Sequence, residues 1–154
     1  MNYIIYTDGA CSNNGQANAR GGAAFVVLDG DGLCCYKDWF HLENATNNIC
    51  ELLAVYEACT WFSNYSRFTD TVIIYSDSAY IINCVKQKWY KNWQKNGWRN
   101  SKKEPVANRE LWEKLIPYFE NPRFTFEKVK GHSGEKDWND YVDSLAVEAK
   151  EIGQ

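Results

Sequence analysis

Histidine is nearly absent from this chain: His41 and His132 are the only two among 154 residues. The six cysteines, Cys11, Cys34, Cys35, Cys50, Cys59 and Cys84, include no C-x-x-C pair. Together these absences leave no zinc-ligand spacing. Also missing is any apolar segment approaching the roughly 20 residues that a membrane helix needs. The N-terminus opens directly into a strand-like run rather than a signal peptide. A soluble, cytoplasmic protein with reduced thiols is therefore expected, in which Cys50, Cys59 and Cys84 serve as small hydrophobes. No repeat, low-complexity tract or domain boundary interrupts the chain, so one domain over residues 1–154 is expected. A domain of that size buries roughly 68–70% of the surface its unfolded chain exposes, enough for a core without disulfides.

What the chain does have is aromatic side chains, with seven Trp and ten Tyr, and an uneven charge distribution. The net charge of −3 does not itself point to nucleic acid. Between Val85 and Glu104, however, lie Lys86, Lys88, Lys91, Lys95, Arg99, Lys102 and Lys103 with no acidic residue among them. Trp89, Trp93 and Trp98 are interleaved with these cations. Such a pattern fits either a stacking platform for a nucleic-acid strand or a helix face buried in the core; the interleaved cations favour the platform.

Residues 2–7 read as a strand ending at Asp8, and 9–22, rich in Gly, Asn, Ser and Ala, as a loop. Ala23 to Leu28 is a short apolar strand. Asp29-Gly30-Asp31-Gly32 is a hairpin turn, and 33–42 is the returning strand. Ile49, Leu52, Leu53 and Tyr56 follow helical spacing, predicting a helix from Asn47 to about Phe62. A buried strand over 71–76 ends at Asp77, followed by a short helix to about Val85. Asn108 is placed to cap a helix carrying Leu111, Leu115 and Ile116. After Pro122 come a last strand over 124–129 and, past a loop around His132, a terminal helix over 141–152. The order β-β-β-α-β-α-(α)-α-β-α predicts an α/β fold, a mixed sheet with helices packed on it.

Two strands end alike. Ile4-Ile5-Tyr6-Thr7-Asp8 and Ile73-Ile74-Tyr75-Ser76-Asp77 share two Ile, a Tyr, a hydroxyl residue and Asp. If they are parallel neighbours, both carboxylates emerge at the carboxyl edge of the sheet, where open α/β sheets place ligands. Adjacent carboxylates repel unless a cation lies between them, and Mg²⁺ prefers oxygen ligands. Each residue also has a plainer reading. Asp8-Gly9 is a common turn and Asp77-Ser78 a common helix start. Asn48-x-x-Glu51 fits a capping box, which taken alone is the preferred explanation of Glu51. Asp143 fits the helix dipole. His132, in Lys130-Gly131-His132-Ser133-Gly134, is either a solvated loop residue or a proton shuttle beside a metal centre.

In order along the chain, Thr7-Asp8-Gly9, Thr46-Asn47-Asn48-x-x-Glu51, Ser76-Asp77-Ser78, Gly131-His132-Ser133-Gly134 and Asn139-x-x-x-Asp143-x-Leu145-Ala146 resemble the motifs of type 1 ribonuclease H. The match runs from Tyr3 to about Ala149, and the ordered set is highly specific. The resemblance implies a ribonuclease H-like fold, a five-stranded mixed sheet flanked by helices. Trp93-x-x-x-Asn96-Gly97-Trp98 resembles the family's basic protrusion (handle), with Lys86, Lys88, Lys91, Lys95 and Arg99 upon it.

The resemblance further implies an endonuclease that hydrolyses the RNA strand of RNA/DNA hybrids. Asp8, Glu51, Asp77 and Asp143 would bind two Mg²⁺ ions, with Mn²⁺ a possible substitute, about 3.5–4 Å apart at the scissile phosphate. One ion would activate water and the other stabilise the leaving 3′ oxygen, giving 5′-phosphate and 3′-hydroxyl products. His132 would assist proton transfer or product release. RNA-strand contacts would come from Asn14, Asn47, Asn48 and Glu51, with backbone groups near Cys11 and Asn13. Asn is apt because its amide both donates and accepts, as the 2′-hydroxyl does. The DNA strand would meet Trp89, Trp93 and Tyr80, with Ser101 nearby and Thr46 and Asn108 at a phosphate. The lysines would add salt-sensitive affinity.

This sequence departs from the family's pattern in three places. The loop after Asp8 is longer than in the shortest bacterial members and lacks Pro-Gly. The stretch from His132 to Asp143 is one residue longer and contains Trp138. Asn44 stands where some members carry a basic phosphate contact. No hybrid-binding domain precedes Tyr3, so long processive runs are not expected, and a monomer is. The alternatives are another nuclease of the superfamily, such as a resolvase or a retroelement fragment, and a hybrid-binding module without catalysis. The presence of all four acidic residues argues against the module.

Overall fold

The structure, a computed structural model, describes residues 1–14, 16–129 and 137–152. Its elements are β1 (Asn2–Ser12), β2 (Arg20–Leu28), β3 (Cys34–Glu43), α1 (Asn47–Tyr65), β4 (Thr71–Ser76), α2 (Ala79–Gln87), α3 (Trp89–Lys95), α4 (Arg109–Phe119), β5 (Phe124–Lys128) and α5 (Trp138–Ile152). The five strands form one sheet in the order β3-β2-β1-β4-β5. β1, β2 and β3 are antiparallel neighbours, while β4 pairs parallel to β1 and β5 parallel to β4. This is the mixed sheet expected from the sequence.

Alternation along the central strands builds two cores. Ile5, Phe25 and Val27 face the α1 side, where they meet Leu52, Val55, Phe62, Trp112 and Leu115. Ala24, Val26 and Leu28 face the other side and meet Val142, Leu145 and Ala146 of α5. β2 is buried on both faces, which is why it reads as a continuous apolar run rather than an alternating one. Cys50, Cys59 and Cys84 are buried as expected. Trp112 was missed as a core residue, although it is fully buried and rests edge-on against Tyr80 and Trp93.

Half of the loop expected over residues 9–22 is strand. β1 runs on to Ser12, paired residue by residue with β2 as far as Ser12 opposite Arg20. The small residues that read as loop chemistry answer a packing demand instead. A Cβ on Gly22 would lie 2.1 Å from the Ala146 carbonyl oxygen of α5. One on Gly9 would lie 2.6 Å from the Cys50 carbonyl carbon and the Glu51 nitrogen of α1. Both helices thus press directly on the backbone of the hairpin.

Other boundaries move for identifiable reasons. α1 continues past Phe62 to Tyr65, where Ser66 closes it through the Phe62 carbonyl. α5 begins three residues earlier than expected, at Trp138, because Asp137 Oδ1 accepts from Asp140 N. Asn108 does precede α4, but in a left-handed conformation with no side-chain cap.

Candidate functional site

Thr7 and Ser76 are both fully buried, and the Thr7 hydroxyl donates to the Tyr75 carbonyl at 2.8 Å. That bond ties β1 to β4 one residue before Asp8 and two before Asp77. The parallel register pairs Tyr6 with Tyr75, so Asp8 and Asp77 emerge side by side, as their matching sequences predict. Asp8 shares its sheet face with Ile4, Tyr6 and Ala10, which pack on the α5 side. Glu51 arrives from the opposite face, on α1. It reaches the same edge because Gly9 presents no side chain between them.

The capping-box reading of Glu51 fails on this geometry. The N-cap of α1 is Thr46, whose Oγ1 accepts from Ile49 N at 3.2 Å. Glu51 Oε1 instead accepts from Gly9 N at 3.1 Å, across to the neighbouring strand. Ser78 caps α2 by accepting from Ile81 N, which leaves the Asp77 carboxylate out of the cap. Asp143 is the sixth residue of α5, beyond the first turn, where Asp140 holds the dipole position. None of the three acidic residues does the local job that its sequence neighbourhood offers.

One ligand oxygen from each of Asp8, Glu51 and Asp77 lies within 4.8 Å of the others. Asp143 joins them, with Gly9, Asn47, Asn48 and Ser78, in lining a strongly polar cleft of about 360 Å³. Asp8 and Glu51 are buried and Asp77 is exposed. Burial, followed by the Glu51 charge, pushes the Asp8 carboxyl up to about 10. Burial and the Asp77 charge push Glu51 up to about 7, although its bond from Gly9 works against them. Desolvation and the Asp143 charge raise Asp77 as well. Glu51 Oε2 is buried without a hydrogen-bond partner among the described residues. Crowded carboxyl oxygens, one of them without a partner among the described residues, fit a hard divalent cation. The Gly9 amide, which also donates to Asp8 Oδ1 at 2.8 Å, was not legible in the sequence.

Beside the cleft, Asn14 Oδ1 accepts from Asn47 N at 3.0 Å, and the Cys11 thiol reaches the Ala45 carbonyl. Asn13 sits in the left-handed region, with φ of 58°. The expected RNA contacts therefore cluster at one place. His132 lies outside the described residues.

The basic segment divides. Trp93 and Trp98 are buried, 5.8 Å apart, and both belong to the large core, Trp93 on α3 and Trp98 beyond its end. Trp89 is half-buried, with Tyr80 at 5.7 Å. Tyr80, Trp89, Trp93, Arg99 and Ser101 line an apolar-floored cleft of about 440 Å³. Asn92, Asn96 and Asn100 complete its lining; their four-residue spacing was the available sequence signal. Lys86 is ion-paired to Glu127 at 2.7 Å. Lys88 takes the left-handed turn joining α2 to α3, on which Lys91 and Lys95 lie. Thr46 and Asn108 both stand at helix starts, of α1 and α4.

A family model described as RNase H matches residues 1–151. The chain is 45% identical over 146 residues to a Ribonuclease H of Clostridium botulinum, covering 95% of this chain and 93% of that one. Among solved structures it is similar to LC9-RNase H1, a type 1 RNase H with the type 2 active-site motif. That likeness has a TM-score of 0.80 at 26% identity, over 99% of this chain and 74% of the other. It also shares its fold with LC11-RNase H1, solved in complex with RNA/DNA hybrid. There the TM-score is 0.72 at 21% identity, over 98% of each chain.

Proposed function

The chain belongs to the ribonuclease H family and is a nuclease, and from that premise we propose that it is a type 1 enzyme cutting the RNA strand of RNA/DNA hybrids. The observation that carries this reading is the convergence of Asp8, Glu51, Asp77 and Asp143 on one cleft, with Glu51 Oε2 buried and without a partner among the described residues. These four residues would hold the divalent cations on which the family depends. Two ions, Mg²⁺ or Mn²⁺, would supply Lewis-acid charge stabilisation and a nucleophile at neutral pH, for 5′-phosphate and 3′-hydroxyl products.

The chain's own groups supply the rest. Gly9 N orients Glu51 and Asp8 together, so their oxygens are aimed before a ligand arrives. Asn47 and Asn48 line the same cleft and offer amides that pair with a 2′-hydroxyl. Asn14, tied to Asn47 N, fixes their position, with the backbone near Cys11 and Asn13 alongside. Tyr80, Trp89 and Trp93 floor the second cleft, where a DNA strand would lie against Ser101, with Thr46 and Asn108 at a phosphate. Lys86, Lys88, Lys91, Lys95 and Arg99 on this protrusion would add affinity without sequence preference. His132 is assigned proton transfer or product release. The protein would act as a monomeric single domain in the cytoplasm.

The test is cleavage of one labelled sequence as RNA/DNA hybrid, RNA duplex, DNA duplex and single-stranded RNA, with Mg²⁺ and with chelator. Metal-dependent cutting of the hybrid's RNA strand alone is expected. Asp77→Asn should abolish cleavage and retain hybrid binding; unimpaired cleavage by that variant overturns the site.

A further inference from the structure

Two cysteines flank the acidic cleft from opposite elements. Cys11 lies on β1, three residues beyond Asp8, and Cys50 on α1 immediately precedes Glu51. Their sulfurs are placed by independent contacts. Cys50 Sγ lies 2.3 Å from the point where Gly21 would carry a Cβ. Gly21 is the residue directly opposite Cys11 in the β1–β2 ladder. Directly opposed Cβ positions in such a ladder are ~4.5–5.5 Å apart, so the Cys50 sulfur is within side-chain reach of Cys11. The Cys11 thiol reaches the Ala45 carbonyl at 3.2 Å, and the Ala45 Cβ lies 3.0 Å from that same Gly21 point. Both thiols thus converge on Ala45 and the bare backbone of Gly21. Cys11 is partly open to solvent and Cys50 is closed off.

We infer that Cys11 and Cys50 form a reversible intramolecular disulfide that disables the adjacent cleft. A low-molecular-weight disulfide such as oxidised glutathione would react first at Cys11, the accessible thiol. The Cys11 thiolate attacks one glutathione sulfur, forming a mixed disulfide and releasing one reduced glutathione. Cys50 then loses its proton to solvent and attacks the Cys11 sulfur, releasing the second glutathione. In total, two protein thiols are oxidised and one glutathione disulfide is reduced. The bond would draw the first turn of α1 towards β1, where the Gly9–Cys50 approach already leaves no spare room, and would displace Glu51 from Gly9 N. The disulfide stands on geometry alone; its effect on cleavage rests on the proposed function.

The test uses a Cys34→Ser/Cys35→Ser background, which removes the two exposed thiols of β3. This protein is incubated with oxidised glutathione at low concentration. A mass lower by two hydrogens, with a Cys11–Cys50 peptide in the non-reduced digest, is expected. Hybrid cleavage should fall at least ten-fold and Mn²⁺ binding weaken, both restored by dithiothreitol. Cys50→Ala in the same background should stop at the glutathione adduct on Cys11, forming no bridge and keeping its Mn²⁺ affinity in oxidant. Recovery of the two reduced thiols, or a pairing with Cys59 or Cys84, overturns the inference, as does a mapped bridge with undiminished cleavage and metal binding. A reduced protein that never cleaves hybrid would instead refute the proposed function and leave the bridge to the mass data.

Discussion

Replacing Asp8 by Asn should stabilise the protein in chelator while destroying its activity. Asp8 is held in a buried position where its neighbours Glu51 and Asp77 lie within 4.8 Å. At an effective dielectric of about 20, each such pair of full charges repels by about 3.5 kcal/mol. The site avoids this by keeping Asp8 protonated, with its carboxyl pushed up to about 10 from an ordinary 3.8. Between those values the native state binds a proton that the unfolded state lacks, so stability falls as pH rises through the window. At pH 7, holding that proton costs about 4 kcal/mol, at about 1.4 kcal/mol per pH unit. Asn has nearly the shape of the protonated carboxyl and carries no such cost. Asp77 and Asp143 leave one side of the site open to solvent, which screens part of the repulsion, so a gain of about 2–4 kcal/mol is expected. In a domain of this size that raises Tm by roughly 4–16 °C. Thermal melts in chelator at pH 7 and pH 4 measure it: the gain should be large at the first and vanish at the second. Saturating Mg²⁺ should narrow the gap by stabilising the wild type more. A D8N protein no more stable than wild type at pH 7 without metal would refute the electrostatic account.

Three other outcomes separate interactions that the structure keeps distinct. Gly22→Ala should cost about 1–3 kcal/mol in a urea melt, because the new Cβ meets backbone atoms of α5 that have no free rotation; an unchanged midpoint contradicts that packing. Trp89→Ala should weaken hybrid binding by about 1–3 kcal/mol with little loss of stability, whereas Trp93→Ala should cost about 3–5 kcal/mol of stability. Equal effects of the two on a melt would deny their difference in burial. Lys86→Ala, which breaks an exposed pair with Glu127, should change stability by less than about 1 kcal/mol yet lower the salt slope of hybrid binding by about one. An unchanged slope removes Lys86 from the interface.

The element order and the parallel placement of Asp8 beside Asp77 were legible in the sequence, because they follow from apolar periodicity and from two strands written alike. What escaped it were choices made between elements rather than within them. Glu51 read as a capping residue because its local spacing fits one, and only the neighbouring strand reveals that Thr46 takes the cap and Gly9 takes Glu51. The run from Gly9 to Gly22 read as loop because glycine, taken locally, signals a turn. Its real cause is the approach of α1 and α5, which lies in the tertiary packing. Likewise the basic segment mixes buried and half-exposed tryptophans at similar spacing. Nothing local to Trp98 shows that Trp93 and the Arg109 guanidinium enclose it.

The extension of β1 beyond Asp8 divides the cleft into a fixed half and an adjustable half. Asp8 sits mid-strand, with ladder partners on both sides of it along β2, and its buried carboxylate accepts from Gly9 N, so it cannot travel without losing that bond. Asp77 follows the last residue of its strand, and Asp143 stands on the side of a helix; both can pivot at the cost of a rotamer. Any change in spacing that a reaction demands must therefore come from the outer pair. In the proposed reaction Asp8 would be the stationary reference against which a shifting phosphate is measured.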